Sequence, residues 1–465
     1  MQSGDRSKIL GTMPMSRLVP KVSIPIMFSM LIQALYNVVD SIFVSRFDPN
    51  GLTAVSLAAP FQMLMIALST GMGTGINSLL SRRLGEKNPD GARRGAWNGL
   101  VIEILGSFLF ILSGLFLAGP TMRLVVSDKL ANAESILSMG TEYLSIVTIF
   151  SLGLFTAIYF ERMLQATGNS VLSMVTQLCG AITNIILDPI MIFGYLGCPR
   201  MGVAGAAVAT VAGQFVSALI GFILNQKKNP ELRLNRKEFI INRSDLSGII
   251  SVGLPSTIMA SIGSVMKVGM NAILSGFAQS NAALNVMSVY FKLQSFIFMP
   301  VFGLSNGIIA IIAYNYGARI RERVYGCIRV ALCWACAIML VGTLVFMVFP
   351  GQLMAVFESE AEAEITAQMT DIGVVAMRIV SASFLLAAVG ITLSTVFQAV
   401  GKGIYSMIIS ICRQLVILLP VAWLIALLTN DVKAVWWCFP IAELAALAIC
   451  IYYYHKCNRE MLSAL

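Results

Sequence analysis

The chain has 465 residues, of which 57% are hydrophobic and only 12% charged, and its mean hydropathy is +0.82. Soluble domains are about 25% charged, and a water-exposed surface with so few charges would present apolar patches that cause aggregation. This composition excludes a soluble protein and indicates one whose solvent is lipid. The net charge of +9 does not indicate a nucleic-acid partner, because the basic residues are divided among several separate polar stretches.

Apolar segments of bilayer-crossing length recur along the chain, with short polar stretches between them. They predict twelve transmembrane helices and hence an all-α polytopic membrane protein. The predicted spans are residues 18–44, 53–80, 96–118, 136–159, 170–195, 203–224, 248–276, 284–312, 326–348, 372–396, 404–428 and 434–454. Residues 1–17 remain as an N-terminal segment, 225–247 as a basic linker, and 455–465 as a C-terminal tail.

Lysine and arginine are concentrated in the polar stretches that fall on one side of this arrangement. The densest groups lie within residues 82–94, 227–243 and 319–329. Cytoplasmic loops of membrane proteins are enriched in these residues. We therefore expect a multi-pass protein of a bacterial or archaeal cytoplasmic membrane, with the N-terminal segment, the linker and the tail in the cytoplasm.

An internal repeat divides the chain into two halves. Four short patterns recur in the same order: Ile24-Pro25 as Leu254-Pro255, Gly75-Ile76 as Gly307-Ile308, Gln165-Ala166 as Gln398-Ala399, and Asp188-Pro189 as Leu419-Pro420. Six predicted spans separate the copies, so both halves have the same orientation in the membrane. This predicts two pseudo-symmetric six-helix lobes, residues 18–224 and 248–454, with a transport site between them.

Two carboxylates lie deep in the predicted spans of the first half. A charge at the centre of a bilayer costs about 3 kcal/mol or more, so Asp40 and Asp188 need an explanation. Asn184 is four residues before Asp188 and shares its helix face, while Pro189 frees one backbone carbonyl from helical hydrogen bonding. Such oxygens suit a hard cation. We interpret Asp40, Asn184 and Asp188 as a site for H⁺ or Na⁺; the alternative is a structural aspartate paired with a neighbour.

Several motifs together resemble those of the multidrug and toxin extrusion (MATE) family. They are Leu35-Tyr36-Asn37-x-x-Asp40, Ser81-Arg82-x-Leu84-Gly85, Leu164-Gln165-Ala166-x-Gly168-Asn169, Asp188-Pro189, and Tyr314-Asn315-Tyr316-Gly317-Ala318. The resemblance covers both halves. It implies twelve helices in two lobes around a V-shaped cavity, and export of amphipathic organic compounds in exchange for H⁺ or Na⁺.

The resemblance also implies roles for individual residues. In the family branch with a cation site in the N-terminal lobe, the first helix supplies an Asp and the fifth an Asn-x-x-x-Asp, which fall on Asp40, Asn184 and Asp188. A threonine of the sixth helix joins them, and Thr210 is the match here. Bending of the first helix would involve Pro25, for which a static kink is the alternative. Residues expected to line the same pocket are Gln33, Tyr36 and Asn37.

The second half departs from another branch of the family, which uses a Glu in the seventh helix and an Asp in the tenth. Lys267 occupies the seventh predicted span, and Lys292 and Arg378 add further positive charge. A cation site is therefore not expected in this half. We interpret Lys267, Lys292 and Arg378 as cavity residues that bind an anionic group of a substrate. The alternative is that they pair with internal carboxylates such as Glu443 or cap helix ends.

These observations predict a monomeric secondary antiporter for small molecules that works by alternating access, with no cofactor besides the coupling ion. The alternatives within the same superfamily are a flippase for lipid-linked saccharides and an exporter of an anionic metabolite. An enzyme is disfavoured, because the sequence has no histidine–carboxylate metal cluster, nucleophile elbow or phosphate-binding loop.

Overall fold

The computed structural model describes residues 7–127, 132–356 and 363–463, and within these residues the chain forms helices and turns but no strand. The twelve spans, numbered α1 to α12 in chain order, are Met15–Phe47, Pro49–Gly85, Pro89–Phe116, Ala133–Ile149 with Leu152–Ala166, Ser170–Phe193, Val203–Lys228, Arg243–Leu274, Ser280–Gly317, Arg321–Val348, Ala363–Ser381 with Phe384–Ala399, Gly403–Thr429, and Val432–Leu462. The predicted all-α membrane fold is confirmed.

Two of the spans are bent, and they occupy equivalent places in the two halves. α4 bends by 46° between Ile149 and Leu152, and α10 bends by 48° between Ser381 and Phe384. A serine hydroxyl near each break bonds a backbone carbonyl: Ser151 bonds Ser107 at 3.2 Å, and Ser383 bonds Val380 at 2.7 Å. Backbone groups inside a bilayer need such partners, so the breaks do not leave these polar groups exposed to lipid.

The helices extend further at one end than hydropathy predicts. α3 begins at Pro89, α6 continues to Lys228 and α7 begins at Arg243. The irregular linker is therefore 229–242 rather than 225–247, and α12 carries the predicted tail onward as a helix to Leu462. Hydropathy detects the part of a helix that lies in hydrocarbon, whereas lysine, arginine and glutamate are good helix formers that continue the helix into the polar region.

The two lobes, α1–α6 (N-lobe) and α7–α12 (C-lobe), meet through glycines in reciprocal contacts. Gly85 of α2 lies against the Tyr314 backbone of α8, and Gly317 of α8 lies against the Arg82 backbone of α2. Two further pairs of contacts are reciprocal in the same way. Gly71 contacts Thr257 and its counterpart Gly303 contacts Met27. Gly75 contacts Gly253 and its counterpart Gly307 contacts Ser23. Each pair exchanges repeat-equivalent residues, as a pseudo-twofold axis requires, and a Cβ atom on these glycines would collide with the facing helix.

These contacts run from the end of the bundle that carries the linker, here called the basic end, toward the middle of α2 and α8. Inter-lobe hydrogen bonds lie there too: the Ser78 hydroxyl donates to the Gln398 carbonyl at 2.9 Å, and Arg94 of α3 binds Asp245 of α7 at 2.8 Å. Further along α1, Leu35 and Val38 are 53% and 47% exposed. The lobes are thus held together at the basic end, whereas this later part of α1 has a face that no other helix in the described part of the chain covers.

The first helix is shared between the lobes. Leu18, Val19 and Val22, near its start, belong to the apolar core of the C-lobe. Val44, near its end, belongs to an apolar cluster of the N-lobe. α1 is one continuous helix that passes through Pro25, so the bend at this residue stays a prediction. Because α1 contacts both lobes, a change at one end of it has a direct path to the other lobe.

Candidate cation site and transport cavity

Close packing of α5 on α6 builds the centre of the candidate site. Gly180 of α5 and Gly213 of α6 each lie against the other's backbone carbonyl, so neither position has room for a side chain. This approach brings the polar side chains of the two helices together. The Asn184 amide nitrogen is 3.2 Å from an Asp188 carboxylate oxygen and 3.4 Å from the Thr210 hydroxyl. Three of the residues singled out from sequence therefore form one cluster.

The cluster has unsatisfied oxygen atoms that face a carboxylate of α1. Asp188 is fully buried, Asn184 is 3% exposed, and Asp40 is close enough to Asp188 to interact electrostatically. Among the described residues, one side-chain oxygen of each of Asp40, Asn184 and Asp188 is buried without a hydrogen-bond partner. Burying such atoms is costly, and two neighbouring carboxylates favour sharing a proton or a cation. Pro189 frees the Ile185 carbonyl beside them.

Residues that sequence reasoning missed extend the polar cluster. Tyr143 of α4 donates to the Gln62 side chain of α2 at 3.2 Å, and it interacts electrostatically with Asp40 and Asp188. Gln177 of α5 and Gln214 of α6 each bury a side-chain oxygen that lacks a partner in the described residues. Helical spacing was an available signal for both glutamines, because Gln177 lies seven residues before Asn184 on one face of α5, and Gln214 lies four residues after Thr210 on one face of α6. No sequence signal linked α4 to α1.

The predicted pocket residues of α1 divide into two kinds. Tyr36 hydrogen-bonds Gln33 and interacts electrostatically with Asp40 and Asp188, so both residues lie beside the cluster. Asn37 is exposed on the same helix, and its carbonyl accepts a hydrogen bond from Ser41 at 2.9 Å. The side chain of Asn37 is thus not covered by another helix among the described residues, and its place in the pocket stays a prediction.

The basic residues of the C-lobe lie on exposed faces of α7, α8 and α10. The Lys267 ammonium lies 4.4 Å from the centre of the Phe291 ring, while Lys292 and Arg378 are exposed. Among the described residues, Lys267 and Arg378 form no ion pair. The carboxylate proposed from sequence as their internal partner, Glu443, binds Arg413 instead, at 3.2 Å. The alternative that Glu443 pairs with these residues is therefore wrong, and Lys267 has no acidic partner in the part of the chain that the structure describes.

Polar residues share the faces of α7 and α8 that carry the lysines. Ser264, Lys267 and Asn271 follow one another at helical spacing on α7. On α8 the same spacing relates Asn285, Ser288 and Lys292, all of which are exposed. Polar faces of membrane helices ordinarily face a bundle interior or a water-filled cavity. α7 and α8 also form the C-lobe side of the lobe interface, so we expect these polar faces to line a cavity between the lobes.

The sequence model of the MatE family matches the chain twice, over residues 25–190 and 255–424. This chain belongs to the MatE family. The two matches begin at Pro25 and Pro255, the first pair of repeat-equivalent positions found in the sequence. Membership confirms the predicted transporter and excludes an enzyme.

Named relatives and solved structures both agree with membership of the MatE family. The chain is 25% identical to "Multidrug export protein MepA" of Staphylococcus haemolyticus, over 89% of this chain and 88% of that protein. A multidrug resistance MATE family transporter in an outward-facing conformation has a TM-score of 0.88 and 25% identity, with 100% of this chain and 99% of that chain covered. A transporter of the MOP superfamily from Pyrococcus furiosus, described as having a binding pocket of reverse polarity that suggests a different function, has a TM-score of 0.86 and 25% identity over 98% of both chains.

Proposed function

We propose that this MatE transporter exports amphipathic organic compounds, including drugs, in exchange for H⁺ or Na⁺ bound at Asp40, Asn184 and Asp188. The observation that carries the proposal is the convergence of two carboxylates from α1 and α5 with unpaired buried oxygens. The name of the MepA relative supports drug export. We also propose that the protein works as a monomer in a bacterial cytoplasmic membrane, with its basic end in the cytoplasm, because basic residues favour that side.

The coupling ion acts through α1. A bound proton or Na⁺ relieves the repulsion between Asp40 and Asp188 and supplies the missing partner of their oxygens. The same helix begins in the core of the C-lobe, so a change in how α1 packs on α5 alters the contact between the lobes. For exchange, the ion and the exported compound must each differ in affinity between the outward-open and inward-open conformations. Thr210 and the Ile185 carbonyl are the further oxygens that would bind Na⁺ rather than a proton.

The test is efflux of a fluorescent lipophilic cation from proteoliposomes under an imposed pH gradient or an imposed Na⁺ gradient. Wild-type protein should respond to one of the two gradients, and Asp40→Asn and Asp188→Asn should abolish that response. Asp371→Asn is the matched control, because Asp371 is a carboxylate of α10 that pairs with Lys433 in an exposed ion pair at 2.7 Å. Full gradient-driven transport by both N-lobe variants would refute the proposed site.

A second candidate is export of an anionic compound or of a lipid-linked saccharide. The observation that favours it is the polar, lysine-bearing face of α7 and α8, where Lys267 contacts Phe291 instead of a carboxylate. The Pyrococcus furiosus relative described as having a pocket of reverse polarity supports it as well. Competition by organic anions for transport, lost in Lys267→Gln and Lys292→Gln, would favour this candidate, and unchanged competition would exclude a role for these lysines.

A further inference from the structure

The linker between the lobes exposes three consecutive large apolar residues. Phe239, Ile240 and Ile241 are 49%, 58% and 60% exposed, although they lie in one of the most polar stretches of the chain. In a loop surrounded by water, such a patch would be a site of aggregation. Its position relative to the bilayer decides whether it is surrounded by water.

The linker folds back along α3 and does not project away from the bundle. The rings of Phe239 and Trp97 contact edge to face, with centroids 5.4 Å apart. The Asn98 amide donates to the Ile240 carbonyl at 2.9 Å, and the Asn98 oxygen accepts from the Asn242 backbone at 2.9 Å. α3 begins at Pro89, so Trp97 lies about 12 Å along its axis. A helix of 28 residues is about 42 Å long, against a hydrocarbon core of about 30 Å.

These lengths put the Trp97–Phe239 contact at the boundary between headgroups and hydrocarbon. The apolar run of α3 begins at Ala96, one residue before Trp97, so the polar turns Pro89 to Gly95 are the part of this helix that extends beyond the hydrocarbon core. Tryptophan is enriched at this depth in membrane proteins. The three exposed apolar residues beside it therefore face lipid.

Backbone carbonyls of the linker accept hydrogen bonds from protein side chains, as irregular backbone near hydrocarbon requires. Side chains of α3 and α6 donate to its carbonyls: Asn225 to Leu232 at 3.1 Å, Gln226 to Leu234 at 3.2 Å, and Trp97 to Asn235 at 2.9 Å. In water, these carbonyls would need no protein partner. Near hydrocarbon, irregular backbone persists only where its polar groups are bonded within the protein. The donors therefore support a membrane-embedded linker independently of the apolar residues.

Positive charge surrounds the apolar residues. Arg233, Arg236, Lys237 and Arg243 are exposed, and in the described part of the chain none of them forms an ion pair. The linker has two acidic residues: Glu238 is bound by Arg93 of α3 at 3.0 Å, and Glu231 accepts a hydrogen bond from the Ser7 hydroxyl at 3.0 Å. Clusters of lysine and arginine beside membrane helices attract anionic lipids.

We propose that the linker, residues 229–242, is an interfacial binding site for anionic phospholipid of the surrounding bilayer. Phe239, Ile240 and Ile241 insert between the acyl chains, and Arg236 and Lys237 bind the headgroup phosphate. Because the linker joins the two lobes, lipid bound here contacts the segment of chain that connects them. The proposal does not depend on the coupling ion or on the exported compound.

Trp97 provides the test. The other four tryptophans, Trp334, Trp423, Trp436 and Trp437, are replaced by Phe, and the protein is reconstituted with dibrominated phosphatidylglycerol or dibrominated phosphatidylcholine at equal mole fraction. Bromine quenches only a nearby indole. We expect quenching by the phosphatidylglycerol to be at least about twofold stronger, and bromine near the headgroup to quench more than bromine near the chain end. Arg236→Gln with Lys237→Gln should make the two lipids equal.

Arg319→Gln with Arg321→Gln is the matched control, because it removes the same charge from the basic end of the C-lobe and should leave the selectivity intact. Equal quenching by the two lipids in the parent protein would overturn the proposal, as would quenching by neither. Loss of selectivity on adding inorganic phosphate at constant ionic strength would also overturn it, because the site would then bind free phosphate. If the four replacements prevent folding, native mass spectrometry of the unaltered protein decides, and retained phosphatidylglycerol must decrease in the Arg236→Gln, Lys237→Gln variant.

Discussion

The two lobes have the same fold but differ in the polarity of the residues in their interiors. The N-lobe residues that carry the proposed ion chemistry have apolar equivalents in the C-lobe. By the repeat offset, Asp40, Asn184 and Asp188 correspond to Met270, Leu415 and Leu419. Met270 is fully buried in the apolar core, as a well-packed hydrophobic residue ordinarily is. The repeat therefore specifies helix packing, and the polar site is an addition that one lobe carries and the other does not.

The cores differ in the same sense. In the described residues, one continuous apolar cluster fills the C-lobe, with Tyr290, Phe346 and Phe384 in contact near its centre. The N-lobe has three smaller clusters, and buried polar groups such as Glu103 and Arg162 lie in this lobe. A divided core with polar contents is easier to rearrange than a close-packed apolar one. The C-lobe core is thus one apolar body, whereas the N-lobe core is divided and contains polar groups.

The largest expected effect comes from replacing Asp188 of the N-lobe by leucine, the residue at the repeat-equivalent position of the C-lobe. Asp188→Leu removes a carboxylate that a cation or proton would bind, so we expect it to abolish gradient-driven efflux, as Asp188→Asn should. Leu419→Asp, the reverse exchange, should create no coupling, because it buries a charge among apolar neighbours. Proteoliposome efflux measures both. Asp188→Leu protein that still responds fully to an ion gradient would contradict the difference between the lobes.

At the lobe interface, in contrast, the lobes should be equivalent. Gly85→Ala and Gly317→Ala each put a methyl group against the backbone of the opposite lobe, and such overpacking costs about 1–3 kcal/mol. We expect similar decreases in the thermal midpoint of the detergent-solubilised protein for the two variants. Gly390→Ala is the control, because nothing lies within 4 Å of its added methyl group, and a helical alanine there stabilises by about 0.5–1 kcal/mol. A strong effect of only one interface variant would break the pseudo-symmetry.

The sequence was sufficient for the fold and for part of the candidate site. Twelve apolar runs and the Pro25–Pro255 repeat predicted the architecture, because span length and helix packing follow local composition. Asn184 and Asp188 were predicted to lie together because four residues on one helix share a face. The closeness of Tyr143 to Asp40 was not predictable, since it depends on how α4 bends and packs. The contacts of the linker with Trp97 and Asn98 of α3 were not predictable for the same kind of reason, since they depend on how the chain between the lobes folds back on the bundle.

The smallest expected effect tests whether the Arg413–Glu443 ion pair of the C-lobe contributes to stability and not to transport. Glu443 and Arg413 form an ion pair whose side chains are 18% and 24% exposed, in contrast to the unpaired oxygens of Asp40 and Asp188. Glu443→Gln keeps an oxygen that accepts from Arg413 but loses the charge, so we expect a decrease in stability of about 1 kcal/mol, measured as a lower thermal midpoint. Gradient-driven efflux per folded molecule should remain unchanged. Efflux that disappears while the protein stays folded would mean that the C-lobe also carries an ion-coupling carboxylate, and the contrast between the lobes would have to be abandoned.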